Sequence, residues 1–244
     1  MSQERKPGQP GTLYLIPCPI AEDTPVWDVL PAANRAVIDS LDYFIVENVR
    51  SARRFLSKAG FGRPIDSLEF RELNEHTTDA RAVDEMVRPI LAGRSAGVIS
   101  EAGVPGVADP GALAVARCHR LGIRVVPLIG PSSIILAVMA SGLNGQSFAF
   151  NGYLPVKPPE RQRAIRAFER RARSEHQSQL FIEAPYRNVK LMDELLTVCA
   201  PETRLTVAMD LTAPGELVET HTVREWRERP RPEMNRRPAI FILG

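Results

Sequence analysis

Residues 97–111, Gly-Val-Ile-Ser-Glu-Ala-Gly-Val-Pro-Gly-Val-Ala-Asp-Pro-Gly, gather the residue types that hold a small ligand by backbone. The stretch leaves a short apolar strand, residues 95–100, and crosses a loop of small residues that includes Gly103 and Gly106. Glycine tolerates positive φ and, having no Cβ, lets a ligand come close to the chain. Asp109 suits an N-cap and Pro110 the first position of a helix over residues 112–117. A strand, a small-residue loop and a helix in that order form a ligand mouth at the carboxyl end of a parallel sheet. The competing reading is a plain tight connection, but short connections seldom need three Gly and two Pro.

Charge supplies the second chemical signal. The 244 residues carry a net charge of only +2, yet their arginines cluster. Arg161, Arg163, Arg166, Arg170, Arg171 and Arg173 fall in one segment; Arg224, Arg227, Arg229, Arg231, Arg236 and Arg237 fall in another. Each cluster alone reads as solvated surface, while two in one half of the chain keep an anionic partner open. Cys18, Cys118 and Cys199 are scattered and odd in number, and His76, His119, His176 and His221 form no ligand set with them, so no metal is expected. The same cysteine usage suits a reducing compartment. No apolar run reaches membrane-spanning length and the N-terminus lacks a signal-peptide core, which places the chain in the cytoplasm as an expectation.

The elements that must position these groups follow from periodicity. Hydrophobic content of 44% and charged content of 25% describe an ordinary globular chain. Apolar runs at residues 12–16, 43–46, 68–73, 95–100 and 123–129 predict five strands. Between them lie helices at residues 26–41 (broken near Pro31), 51–58, about 79–91, and 112 to the stop at Gly122. The third has Val83, Met86, Val87, Ile90 and Leu91 on one face. That alternation implies a mostly parallel sheet covered on both faces. A helix over residues 134–140 follows, capped by Ser132 and Ser133. The second half reads as a mixed sheet: strands at 147–153, 179–182, 204–211, 217–223 and 238–243, with helices at 160–175 and 188–199. The fold class is therefore α/β with two domains, residues 1–130 and 131–244.

At this resolution of detail the chain resembles the tetrapyrrole-methylase superfamily of S-adenosylmethionine-dependent methyltransferases. Within it, the branch that 2′-O-methylates a cytidine of small-subunit ribosomal RNA is the most similar. The signposts run in order over residues 11–244: Gly11-Thr-Leu-Tyr-Leu with Pro19-Ile20; Glu47 with Arg50 and Arg53-Arg54; Glu75-His76; Ser100-Glu101-Ala102-Gly103-Val104-Pro105 with Asp109-Pro110-Gly111; Gly130-Pro131-Ser132-Ser133; Gly152-Tyr153-Leu154-Pro155; and Glu183-Ala184-Pro185-Tyr186-Arg187. Four places depart from the family's pattern: Pro19-Ile20-Ala21-Glu22, Glu47-Asn48-Val49-Arg50, Glu101 for an aspartate, and Met209–Ala213, where a lysine is missing. They fall largely where a substrate would be held.

The resemblance implies two domains of tetrapyrrole-methylase type with S-adenosylmethionine folded between them. Pro19, Ser100, Glu101, Gly103, Val104 and Val107 would line one side, with Pro131, Ser132 and Ser133 approaching from the linker. Phe181, Ala184, Ala208, Met209, Pro238 and Ala239 would close the adenine side, although Phe181 and Met209 read equally well as core. A hydroxyl acceptor wants a base. Glu101 is the first candidate, then Glu47 and Glu183; Asp109 is the better cap, and Glu183 stands one helical turn before Arg187 as an ion-pair partner. Arg50, Arg53 and Arg54 would meet phosphates or form a solvated face. The implied acceptor is RNA and the implied assembly a homodimer. A small-molecule, tetrapyrrole-type methyltransferase and a non-catalytic S-adenosylmethionine-binding protein remain the alternatives.

Overall fold

A computed structural model describes residues 8–74, 77 and 79–244. The signpost Glu75-His76 lies outside the described residues. The chain divides into two compact units, one ending at Ser132 and the other running from Ser133 to Gly244.

The first unit alternates strand and helix. Its strands are β1 (Thr12–Ile16), β2 (Tyr43–Val46), β3 (Glu69–Glu72), β4 (Ala96–Ile99) and β5 (Arg124–Pro127). Its helices are α1 (Val26–Val29), α2 (Ala33–Ser40), α3 (Val49–Lys58), α4 (Ala80–Leu91) and α5 (Gly111–Arg120). The sheet order is β3-β2-β4-β1-β5, and every pairing is parallel. Parallel strands need a crossover, so helices cover both faces and the central strands lose all contact with water. All four residues of β2 and of β4 are buried accordingly. The predicted helix over residues 26–41 is split at Pro31 into α1 and α2, as the missing N–H of proline requires.

Three expectations shift here. Leu91 does not join the core face of α4 but stands 44% exposed, one residue beyond Ile90 in a helix whose apolar stripe has already turned away. The fifth strand is shorter than its apolar run, because β5 is an edge strand, and Ile129 is 74% exposed. Helix α5 begins at Gly111 and not at the predicted Pro110, with Pro110 as the capping position.

The second unit holds α6 (Ser133–Ser141), β6 (Phe148–Tyr153), α7 (Pro158–Ser174), β7 (Ser178–Ile182), α8 (Asn188–Val198), β8 (Arg204–Met209), β9 (Leu217–Thr222), α9 (Val223–Glu228) and β10 (Ala239–Leu243). Its sheet runs β6-β7-β10-β8-β9. Only β6 and β7 pair in parallel; the other three pairings are antiparallel, so the sheet is mixed. Phe181 stacks on Phe241 and Phe168, with ring centroids 5.9 and 6.0 Å apart, at the centre of the core. The strand predicted to continue to Val223 stops at Thr222 instead. There Thr222 and Glu225 exchange side-chain and backbone hydrogen bonds in a capping box that starts α9.

Candidate active site

The loops leaving β1, β4 and β5 meet at the carboxyl end of the parallel sheet. The Cys18 amide donates to the Gly103 carbonyl at 2.8 Å, and Cys18 Sγ lies 3.5 Å from the Ser100 carbonyl. The turn after β1 is thereby fixed to the loop after β4. Gly103 adopts φ of +67°, and a Cβ built there would come 3.6 Å from the Pro131 carbonyl. At Gly130 a Cβ would fall 2.3 Å from the Pro17 ring, so only glycine lets the third loop approach. Pro19, Ser100, Gly103 and Pro131 are thus brought to one mouth. Val104 and Ser132 are half-buried beside them in sequence, and Val107 is 46% exposed.

Asp109 organises the far side of this loop. Its Oδ1 accepts the amides of both Gly106 and Gly111, each at 2.8 Å. It therefore performs the capping work expected of it, although the helix is counted from two residues later. Glu47 leaves the carboxyl end of the neighbouring strand β2. Its Oε2 accepts the Glu101 amide at 3.4 Å. Partial burial, then the charge of Asp109, raise the Glu47 carboxyl above its ordinary value, with the Glu101 amide opposing. Glu101 itself is exposed, and its Oε1 accepts from Ser51 Oγ at 3.1 Å. Two of the three candidate bases, Glu101 and Glu47, therefore stand together at the mouth.

A pocket of about 250 Å³ opens next to them. Pro19 and Ile20 from the first loop, Ser100 and Glu101 from the second, and Ser51, Arg54 and Lys58 from α3 line it. Asn48 caps α3 by accepting the Ser51 amide at 3.1 Å, which sets the helix's rotation. Arg54 pairs with Glu22, and Lys58 Nζ donates to the Glu22 carbonyl at 2.8 Å. Arg53 instead faces Asp66, and Arg50 is exposed. Ser51 and Lys58 were absent from the sequence reading of the site. Their signal is the spacing 51, 54, 58, one stripe of a helix.

The second unit presents its residues differently. Ser133 opens α6. Phe181, Ala208, Met209 and Ala239 lie on neighbouring strands β7, β10 and β8, with Ala239 opposite Met209 and Ile240 opposite Ala208. The side chains of Phe181 and Met209 are wholly buried in the core, so only their backbone is available to a ligand. Pro238 is exposed, and its carbonyl accepts the Asp210 amide at 3.1 Å. Ala184 is half-buried and donates its amide to Glu183 Oε1 at 2.8 Å. That same oxygen accepts from Arg187 Nε at 2.9 Å and Nη2 at 2.6 Å, and the Glu183 side chain is 1% exposed. A carboxylate so tied anchors the turn before α8.

The loop after β8, where the family's lysine is missing, is held by other charges. Asp210 and Thr212 both take positive φ, +46° and +70°, without being glycine. Arg237 Nε binds Asp210 at 2.6 Å, and its Nη2 donates to the Gly215 carbonyl at 2.6 Å. Such left-handed residues persist only where the surroundings hold them. Among the described residues no group of three or more His, Cys, Asp or Glu is arranged to hold a metal ion, and no helix is long and apolar enough to cross a membrane. All three cysteines are buried; burial pushes the Cys118 thiol up to about 11 and Cys199 to about 12.

Comparison with known proteins places the chain in a family. The chain is 30% identical to the ribosomal RNA small subunit methyltransferase I of Xylella fastidiosa over 234 residues, 96% of this chain and 81% of the relative. The chain belongs to the ribosomal RNA small subunit methyltransferase I family. The Vibrio cholerae member is 31% identical over 85% of this chain and 67% of its own length. No family model matches. Among solved structures, the methyltransferase CobJ superposes with a TM-score of 0.60 at 16% identity, covering 97% of this chain and 94% of its own. Uroporphyrin III C-methyltransferase from Thermus thermophilus gives 0.55 at 17% identity, covering 96% and 97%. The fold is that of the tetrapyrrole methylases: a parallel sheet in one unit and a mixed sheet in the other.

Proposed function

We propose that the chain methylates ribosomal RNA of the small ribosomal subunit at a ribose 2′-hydroxyl, with S-adenosylmethionine as donor. The observation that carries the reading is the convergence of Glu47 and Glu101 on a backbone-lined mouth in a chain of this methyltransferase family. The residues fit such a donor. A sulfonium cation is favoured by carboxylates, and the Glu47 carboxyl stands at this mouth beside Glu101. Pro19, Ser100, Gly103, Val104 and Pro131 would hold it, and bound there it supplies an electrophilic methyl group.

The protein's own part is placement and proton handling. Orientation of two reactants can contribute roughly 7–11 kcal/mol of barrier lowering in well-aligned cases. A carboxyl raised above its ordinary value is a better match to a hydroxyl proton near neutral pH, which favours Glu47 as the acceptor of that proton. Glu101, fixed by Ser51, orients the incoming ribose. Lys58, whose partner is a carbonyl and not a carboxylate, offers a cationic group to the adjoining phosphate. The reading includes a cytoplasmic homodimer, to be checked by sedimentation and cell fractionation.

The test is transfer of labelled methyl from S-adenosylmethionine to small ribosomal subunits from cells lacking this protein, followed by mapping of the modified nucleotide. Label on a ribose of that RNA supports the proposal. Label only on a small molecule, or donor binding without turnover, replaces it with one of the two alternatives.

A further inference from the structure

The two arginine clusters look alike in sequence and differ in the folded chain. In the second cluster, Arg224 pairs with Glu202 at 2.5 Å, Arg229 with Glu219 at 3.8 Å, and Arg231 with Asp193. Arg237 holds Asp210, and Arg227 donates to the Leu196 carbonyl. That cluster is largely spent on the protein itself.

Helix α7 is the opposite case. Arg161 is buried and Arg171 faces Glu175 at 4.0 Å, but Arg163, Arg166, Arg170 and Arg173 are all exposed. None of these four makes an ion pair or side-chain hydrogen bond to a described residue. Their spacing of three, four and three residues sets them on one stripe about 15 Å long at ~1.5 Å per residue. Glu169 forms no ion pair with the stripe, its carboxylate accepting the Ala200 amide at 2.6 Å and the Thr203 hydroxyl instead. The aromatic ring of the helix, Phe168, is turned to the core. The stripe therefore offers guanidinium groups without a stacking platform, which suits phosphates and not bases. Four arginines this close, none of them held in an ion pair, favour a polyanion within their reach.

Resting on the reading that the acceptor is RNA, we propose that this stripe of α7 docks the sugar-phosphate backbone of the substrate RNA, independently of its sequence. Guanidinium groups stay protonated and cannot take a proton from a hydroxyl, so the stripe supplies affinity and not chemistry.

The test compares the intact protein with the variant carrying Arg163→Gln, Arg166→Gln, Arg170→Gln and Arg173→Gln, and with the corresponding four-lysine variant. Binding to a transcript of small-subunit ribosomal RNA is followed from about 50 to about 200 mM salt. Each phosphate contact contributes about 0.7 to 0.9 to the slope of log affinity against log salt. The glutamine variant is expected to lose about 3 from that slope and about 100-fold or more in affinity near 0.15 M salt. The lysine variant should keep most of both, and calorimetry with S-adenosylmethionine should give equal donor binding in all three proteins, which shows that the fold survives. Unchanged slope and affinity in the glutamine variant would overturn the proposal while leaving RNA as acceptor. Unchanged RNA binding with lost binding to whole small subunits would overturn it in favour of a protein surface. If the unaltered protein neither binds nor methylates the RNA, the underlying functional reading fails instead.

Discussion

Asp109→Asn separates the two jobs that Asp109 performs. The native Oδ1 accepts two backbone amides at 2.8 Å and so holds both ends of the Gly106–Gly111 turn. An asparagine oxygen can occupy the same place, so the geometry is kept and the charge removed. Hydrogen bonds to a charged acceptor contribute about 1 kcal/mol more than neutral ones, so two of them predict a loss of about 2 kcal/mol. Relief of the repulsion between Asp109 and Glu47 offsets part of that loss. A net loss near 1 kcal/mol corresponds to a fall in Tm of roughly 3–6 °C for a unit of this size.

The electrostatic consequence is more specific. Burial is the larger cause of the raised Glu47 carboxyl and the Asp109 charge the next. Removing the charge should bring the Glu47 carboxyl down, but not to its ordinary 4.5, because the burial persists. Carbon-13 NMR titration of glutamate side chains, with Glu47 assigned by its disappearance in Glu47→Gln, measures this directly. The acid limb of methyl transfer should shift to lower pH by the same amount if Glu47 takes the proton. A Glu47 resonance that titrates at 4.5 in the unaltered protein, or does not move in Asp109→Asn, refutes the electrostatic account of the mouth.

Three further perturbations test the framework around it. Glu47→Gln should stabilise the protein above about pH 5: a raised carboxyl favours the folded state fully below its unfolded value and loses that contribution as pH rises through its folded value. Denaturant melts at pH 4 and pH 8 should show the gain only at the higher pH, and an equal gain at both contradicts it. Gly130→Ala should cost about 1–3 kcal/mol, since its Cβ would sit 2.3 Å from the Pro17 ring, and should weaken donor binding in calorimetry; a loss under about 0.5 kcal/mol means the loops can separate freely. Glu194→Leu should cost about 3–5 kcal/mol by stranding Arg161, whose Nε binds Glu194 at 2.5 Å in a buried pair, and adding Arg161→Met should restore most of it. Additive losses in that double variant would count against a coupled pair.

What the sequence revealed of the fold is what short-range patterning controls. β2 and β4 are read correctly because strands buried on both faces must be continuous apolar runs, and nothing distant alters that. β5 is overextended because an edge strand can end before its apolar run does, and edge position depends on partners far along the chain. α9 is written in the sequence, since Thr222-Val-Arg-Glu225 spells its own capping box, but the alternation in β9 masks it. The second arginine cluster could not be separated from the first by composition. Its partners Asp193, Glu202, Asp210 and Glu219 lie on other elements, and only the folded chain shows which guanidinium groups are satisfied.

The site shows the same division. Glycine and proline content marks residues 97–111 as special, because positive φ and missing amide donors are properties of single residues. Which loops close on Gly103 is set by strand order. β1 lies between β4 and β5, so the turns at Pro19 and Pro131 both come to one side of the central loop, and β2 on the other side of β4 delivers Glu47 beside Glu101. Had β2 exchanged places with β5, the same residues would have formed a glycine-rich mouth with no raised carboxyl near it. Glu183 makes the point from the other direction. Its spacing to Arg187 makes the ion pair legible in the sequence, and the fold adds the Ala184 amide, so that three donors share one of its oxygens. The meeting of Glu47 with Glu101 therefore follows from the order β3-β2-β4-β1-β5 as much as from either residue.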